Sequence, residues 1–172
     1  MRTMYFEIVS QMKKQLEQLD RWLDAASAHA KSRSFDPDVF LTMRLAPDQF
    51  AFARQVQSAC DAAKFAASRT SGQDAPSHPD NEKTVDELHT RIRATVTYLE
   101  RFAATDFEGA GARVVALPRW EGKSMTATDY LLEHAQPNFF FHLAHAYAIL
   151  RHGGVPLGKR DFLGALSFRA PA

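Results

Sequence analysis

Residues 125–154, MTATDYLLEHAQPNFFFHLAHAYAILRHGG, decide the reading of the chain. Thr126 and Asp129 form the T-x-x-D pattern of a capping box, with Met125 and Tyr130 at the positions of a hydrophobic staple, so a helix starts here. Leu131, His134, Asn138, Phe141, His142, His145 and Ile149 then recur at spacings of three and four and share or adjoin one face. Phe139, Phe140 and Tyr147 widen the apolar coverage, which predicts a helix buried on most sides. Pro137 has no N–H to offer the carbonyl of Glu133, so the helix is expected to kink or divide there, beside His134 and Asn138. His134, Asn138, His142 and His145 on successive turns leave two readings open. They form a satisfied hydrogen-bond network inside a bundle, or part of a metal or proton-transfer site. One helix supplies only two or three of the ligands a zinc ion needs, so the second reading requires a donor from another helix.

The chain has 172 residues and 45% hydrophobic content, enough for one sizeable core, and a single domain over 1–172 is expected. With 21 basic and 20 acidic side chains the formal charge is +1, so no overall field steers the protein to nucleic acid or to an anionic membrane. No apolar run spans a membrane, and the N-terminus enters a mixed helix carrying Glu7, Gln11, Lys13 and Lys14; a soluble, cytoplasmic protein is expected. The lone cysteine, Cys60, excludes an intrachain disulfide framework and reads as a small buried thiol in an alanine-rich helix.

Moving outward, the first helix reads from Thr3 to Ala30 on Ile8, Met12, Leu16, Leu19, Leu23, Ala26 and Ala30, with Trp22 at the edge of its core stripe. Asp36 and Pro37 give an N-cap and N1 pair for a short cover helix through Val39, Phe40 and Leu41. Pro47 suits N1 of a second long helix to Ser71, stopped by Gly72, whose stripe Phe50, Ala53, Val56, Cys60, Ala63 and Ala67 admits a close neighbour. Gln57 and Asp61 lie beside that stripe. Asp61 is the carboxylate expected nearest His142, with pairing to Lys64 as its ordinary alternative. Residues 71–81 are a polar loop that includes His78. Thr84 and Glu87 cap a third helix carrying Leu88, Ile92, Val96, Leu99 and Ala103. Val114–Leu117, a turn at Glu121 and Gly122, and a return through Ser124 predict a small hairpin with Trp120 over the bundle end. Gly153 and Gly154 end the fourth helix, and Val155–Leu166 is expected as an irregular cover.

This order resembles the DinB/YfiT-like superfamily of four-helix bundles, and more closely an uncharacterised bacterial branch of it, a domain of unknown function. The segments that carry the likeness are RLAPDQFAFARQVQSACDAAK (44–64), PNFFFH (137–142) and AYAILRHGGVPLGKRDFLG (146–164). The resemblance implies an all-α four-helix bundle with a short cover helix and a small extended hairpin before the last long helix. It also implies a homodimer, for which Trp22, Phe40 and Met43 would offer partly exposed surface.

Superfamily members resemble one another in an H-x-x-x-H pair on the last helix, an Arg-Gly-Gln run after it and a third His on the second helix. Here His142 matches the second His, Asn138 takes the place of the first, Leu143, Ala144 and His145 replace the run, and the second helix offers only Asp61. Oxygen ligation by Asn and Asp gives a candidate Zn or Ni site of His142, Asn138 and Asp61, with His134 as a substitute one turn away. The resemblance therefore implies a degenerate or altered metal site and a small-molecule pocket of His134, Asn138, His142, His145, Gln57 and Asp61. A metal-dependent hydrolase or thiol-dependent transferase, and a structural or interaction module without catalysis, are the alternatives.

Overall fold

Thr3 starts the first helix by accepting a hydrogen bond from the Phe6 N–H, and α1 runs over Met4–Ser32 in the computed structural model, which describes residues 3–170. Its core face is the expected stripe, with Met12, Leu16, Leu19, Leu23, Ala26 and Ala30 fully buried and Ile8 at its margin. A short 3-10 helix, Pro37–Thr42, follows the Asp36 cap and lays Phe40 and Leu41 onto the bundle. The second helix, α2, spans Phe52–Ser71 and ends on Gly72, whose φ of 79° places it in the left-handed region that favours glycine.

The start of α2 is a correction to the sequence reading. Pro47 does not occupy N1. The Phe52 N–H is taken by the Met43 carbonyl at 2.8 Å, so residues 47–51 turn outside the helix, and Phe50 is 51% exposed instead of entering the core. The rest of the expected stripe holds, with Val56, Cys60, Ala63 and Ala67 buried and Ala53 half-buried, and Phe52, Gln55, Ala59 and Ala66 widen it.

The capping box of Thr84 and Glu87 forms in full at the head of α3, Val85–Leu99. The helix ends before Ala103. Strands β1, Val114–Ala116, and β2, Ser124–Thr126, pair antiparallel with Val115 opposite Met125, and left-handed Glu121 and Gly122 make the turn as expected. The fourth helix, α4, covers 127–152. It begins where the Thr126 side chain accepts from the Asp129 N–H, continues through a π-helical turn at Tyr130–Ala135, and resumes regular winding at Gln136–His152. The helix is not divided at Pro137, and its irregularity falls in the turn that leads into the proline. The wide turn just before the proline, with the Gln136 N–H reaching the Leu131 carbonyl five residues back, accommodates a residue that lacks a donor.

α2 packs most extensively against α4, and α1 against α3. The alanines of α2 permit this approach because small side chains let two helix axes come close. A short helix α5, Lys159–Leu163, gives order to the tail that reads as irregular in the sequence. Phe162 of α5 stacks on Trp22, Tyr147 meets the same indole edge-on, and the indole N–H donates to the Asp161 carbonyl at 3.1 Å. Trp22 and Phe40 are each 1% exposed. They are core residues and lend no outer surface, whereas Met43, named with them, is half-buried as expected.

Gly153 joins the end of α4 to the cover turn. A Cβ there would lie 2.7 Å from Phe40 Cε1 and 3.2 Å from Met43 Cε. Gly153→Ala should cost about 1–3 kcal/mol by overpacking, and the added Phe40→Leu substitution should recover part of it; a urea titration of the single and double variants measures both.

Candidate functional site

His134 and Asn138 of α4 are half-buried beside its core face, and His142 is buried at the edge of that face. Leu131, Ala135, Phe139, Leu143, Ala146 and Leu150 make its buried face, whereas His134, Asn138 and His142 lie one step around the helix, along a cleft shared with α2. The facing wall is Arg54, Ser58, Asp61, Ala62, Phe65 and Arg69 of α2, repeated at three and four, and Arg119 and Tyr130 close one end. The cleft holds about 340 Å³, the size of a small-ligand site. His145 and Gln57, expected in this set, are elsewhere. His145 Nδ1 bonds the Phe141 carbonyl at 2.6 Å, and Gln57 donates to Glu82 Oε2 at 2.8 Å.

Asp61 borders the cleft but is already engaged. Its Oδ1 lies 2.8 Å from Arg91 Nη2 and 2.9 Å from Lys64 Nζ. The Arg91 side chain is 2% exposed and also meets Asp80 at 3.2 Å and Glu82 at 3.0 Å, drawing the 72–84 loop onto α2 and α3. The ordinary alternative for Asp61, pairing with Lys64, is thus realised and extended by a second cation. Cys60, beneath it, is fully buried, and burial pushes its thiol up to about 12 against the opposing pull of Arg91, so no thiolate nucleophile is available there.

His142 is held by a residue that sequence reading passed over. Gln55, fully buried, donates from Nε2 to the Phe50 carbonyl at 3.2 Å, which turns its Oε1 toward His142 Nδ1 at 2.8 Å. An amide oxygen only accepts, so His142 carries its proton on Nδ1 and keeps a lone pair on Nε2. Burial, with His145 and Arg54 nearby, pushes the imidazole down to about 4. The Phe50 ring stacks over it at 6.3 Å.

At the other end, Arg119 Nη2 lies 2.8 Å from His134 Nε2. A guanidinium cannot accept, so Nε2 accepts and the His134 proton is on Nδ1, a buried atom without a partner among the described residues. Burial, then Arg119 and Arg69, hold this imidazole below its ordinary value. Arg69 donates to the Tyr130 hydroxyl at 2.8 Å and lies over the rings of Phe65 and Tyr130 at 4.4 and 5.5 Å.

The donor set suits a transition metal poorly. It offers the His142 imidazole, a His134 imidazole whose Nε2 already accepts from Arg119, one amide and one carboxylate already neutralised by two cations, under three arginines, whereas such sites gather three or four imidazole, thiolate or carboxylate ligands. Among the described residues no three His, Cys, Asp or Glu side chains are grouped to hold an ion.

Residues 4–163 match the family described as Domain of unknown function (DUF1993). The chain belongs to this family. It is also 46% identical to a DinB family member protein from Shewanella denitrificans of known crystal structure, over 98% of this chain and 96% of that one, with a TM-score of 0.94. No curated protein matches. The DinB-like bundle expected from the sequence is therefore established. No helix among the described residues of this DUF1993 chain is long and apolar enough to cross a membrane.

Two outcomes follow from this geometry. The unfolded His142 titrates near 6.5 and the folded one near 4, so the unfolded chain takes up the proton first on acidification. The associated stability is complete above about pH 6.5 and is lost as pH falls toward 4, by on the order of 2 kcal/mol. Denaturant unfolding between these limits should show that slope in wild type and a flatter one in His142→Ala. Arg91→Met should cost about 3–5 kcal/mol in the same assay at neutral pH, because it leaves Asp80 and Glu82 without their buried partner.

Proposed function

We propose that this bundle is a small-molecule-binding member of the DinB-like group whose metal site is altered, with its ligand in the cleft between α2 and α4. The supporting observation is the engagement of Asp61 by Arg91 and Lys64 and of His134 Nε2 by Arg119. Of the residues that would have to converge on an ion, Asp61 is matched by Arg91 and Lys64 and His134 Nε2 is held by Arg119, which leaves only His142 Nε2 and Asn138 as donors. The cleft they border stays open and has the volume of a ligand site.

Binding fits the chemistry better than general-base catalysis does. An imidazole pushed down to about 4 is neutral at physiological pH and offers little driving force for proton abstraction, which is best served by a pKa near the working pH. His142 in this reading is a fixed acceptor on the cleft wall, oriented by Gln55.

Competition calorimetry with Zn²⁺ and Ni²⁺ on chelator-treated protein tests the altered site. Wild type and His142→Ala should bind either ion equally weakly, while the variant should unfold about 1–3 kcal/mol more easily because Gln55 loses its buried partner. Tight binding by wild type that His142→Ala abolishes would overturn the reading in favour of a metal-dependent enzyme.

A further inference from the structure

At the end of the cleft formed by Arg69, Arg119, Tyr130 and His134, the hydrogen-bonding capacity left over is donor capacity. Arg69 spends one N–H on the Tyr130 hydroxyl and Arg119 one on His134, while each guanidinium has five to give. Tyr130, having accepted from Arg69, retains its own O–H, and burial raises its pKa more than Arg69 lowers it, so the phenol stays protonated. His134 retains Nδ1–H.

The charges lean the same way. Arg54 is paired with Asp80, but among the described residues neither Arg69 nor Arg119 has a carboxylate within ion-pair distance. The one carboxylate on the wall, Asp61, is matched by Lys64 and Arg91. Two guanidinium charges therefore face the end of the cleft without counter-charge, and burial of their neighbours strengthens their pull on an anion.

We infer that the cleft binds the oxyanion group of a small organic ligand, a phosphate monoester or a carboxylate, gripped between Arg69 and Arg119 with the Tyr130 hydroxyl as a further donor. This rests on the reading of the cleft as a small-molecule site and names the ligand's chemistry. A guanidinium pairs with either group through two parallel N–H···O bonds. The ring of Phe65, with Arg69 over it at 4.4 Å and Lys64 at 4.7 Å, lines the cleft beside the anion and gives the ligand's organic part an apolar neighbour. The two unpaired charges match the dianion of a phosphate monoester more closely than a single carboxylate.

Phenyl phosphate, benzoate and benzylamine carry the same ring with different charge, and titrating each into the full-length protein, followed by calorimetry and by the imidazole NMR signals of His134 and His142, tests the assignment. The anions should bind, phenyl phosphate more tightly, with affinity falling as salt is added, and the bound anion should raise the His134 pKa by offsetting Arg119 and Arg69. Arg69→Gln and Arg119→Gln should each weaken binding about tenfold or more, whereas Arg93→Gln, on an exposed arginine of α3 paired with Asp20, should leave it unchanged. Arg119 is exposed on the hairpin, so Arg119→Gln keeps the test valid if loss of the Arg69–Tyr130 bond unfolds the other variant. Binding of benzoate alone sustains the proposal with a carboxylate as the group held. Benzylamine binding as well as the anions, or anion binding indifferent to both arginine variants, overturns it while leaving a small-molecule cleft. No binding by any of the three with unmoved histidine signals overturns the cleft reading too.

Discussion

The Arg91 guanidinium is the contact on which this arrangement depends. It is an always-charged group almost wholly removed from water, and it is tolerable there only because Asp61, Asp80 and Glu82 surround it. Three segments are joined by that requirement: α2 through Asp61, α3 through Arg91 itself, and the polar loop between them. The same contact determines the character of the cleft. A carboxylate facing His142 across the α2–α4 groove would attract a cation, but one already shared between Arg91 and Lys64 contributes little negative field. The remaining arginines then set the sign of the potential.

Much of the architecture was legible because it rests on local rules. The capping box of Thr84 and Glu87, the Asp36–Pro37 start, the glycine stop at residue 72 and the hairpin turn at Glu121 and Gly122 are each dictated by short-range backbone chemistry. Where the reading failed, a distant partner decided. Pro47 is as good an N1 residue as any, but the Met43 carbonyl takes the Phe52 N–H and delays the helix. Trp22 looks like a boundary residue until α5, too short to signal itself by periodicity, folds over it.

The cleft was half legible. His134, Asn138 and His142 are marked by their spacing, and Arg54, Ser58, Asp61, Phe65 and Arg69 have the same spacing on α2, a periodicity present in the sequence although Arg, Ser and Phe carry no metal-ligand chemistry. Gln55 had no signal of its own, because a buried amide beside an apolar stripe shows its partner only in the fold. Arg119 had no signal of its own, since a residue in a hairpin turn meets α4 only through the fold. The family likeness drew attention to His142, and the neighbours of His142 changed what it is suited to do.

The π turn at Tyr130–Ala135 has a bearing on how such a cleft is tuned. Tyr130 and His142 stand twelve residues apart, a separation that in uninterrupted α-helical winding leaves them about 120° out of phase. The wider turn winds less per residue and takes up part of that difference, so both border one groove. It acts as a gearing element inside a continuous helix. A one-residue gain or loss within it would swing the wall bearing Tyr130 relative to the wall bearing His142, while the core contacts from Leu143 to Leu150 kept their place, giving the bundle a way to reshape its cleft without an inserted loop.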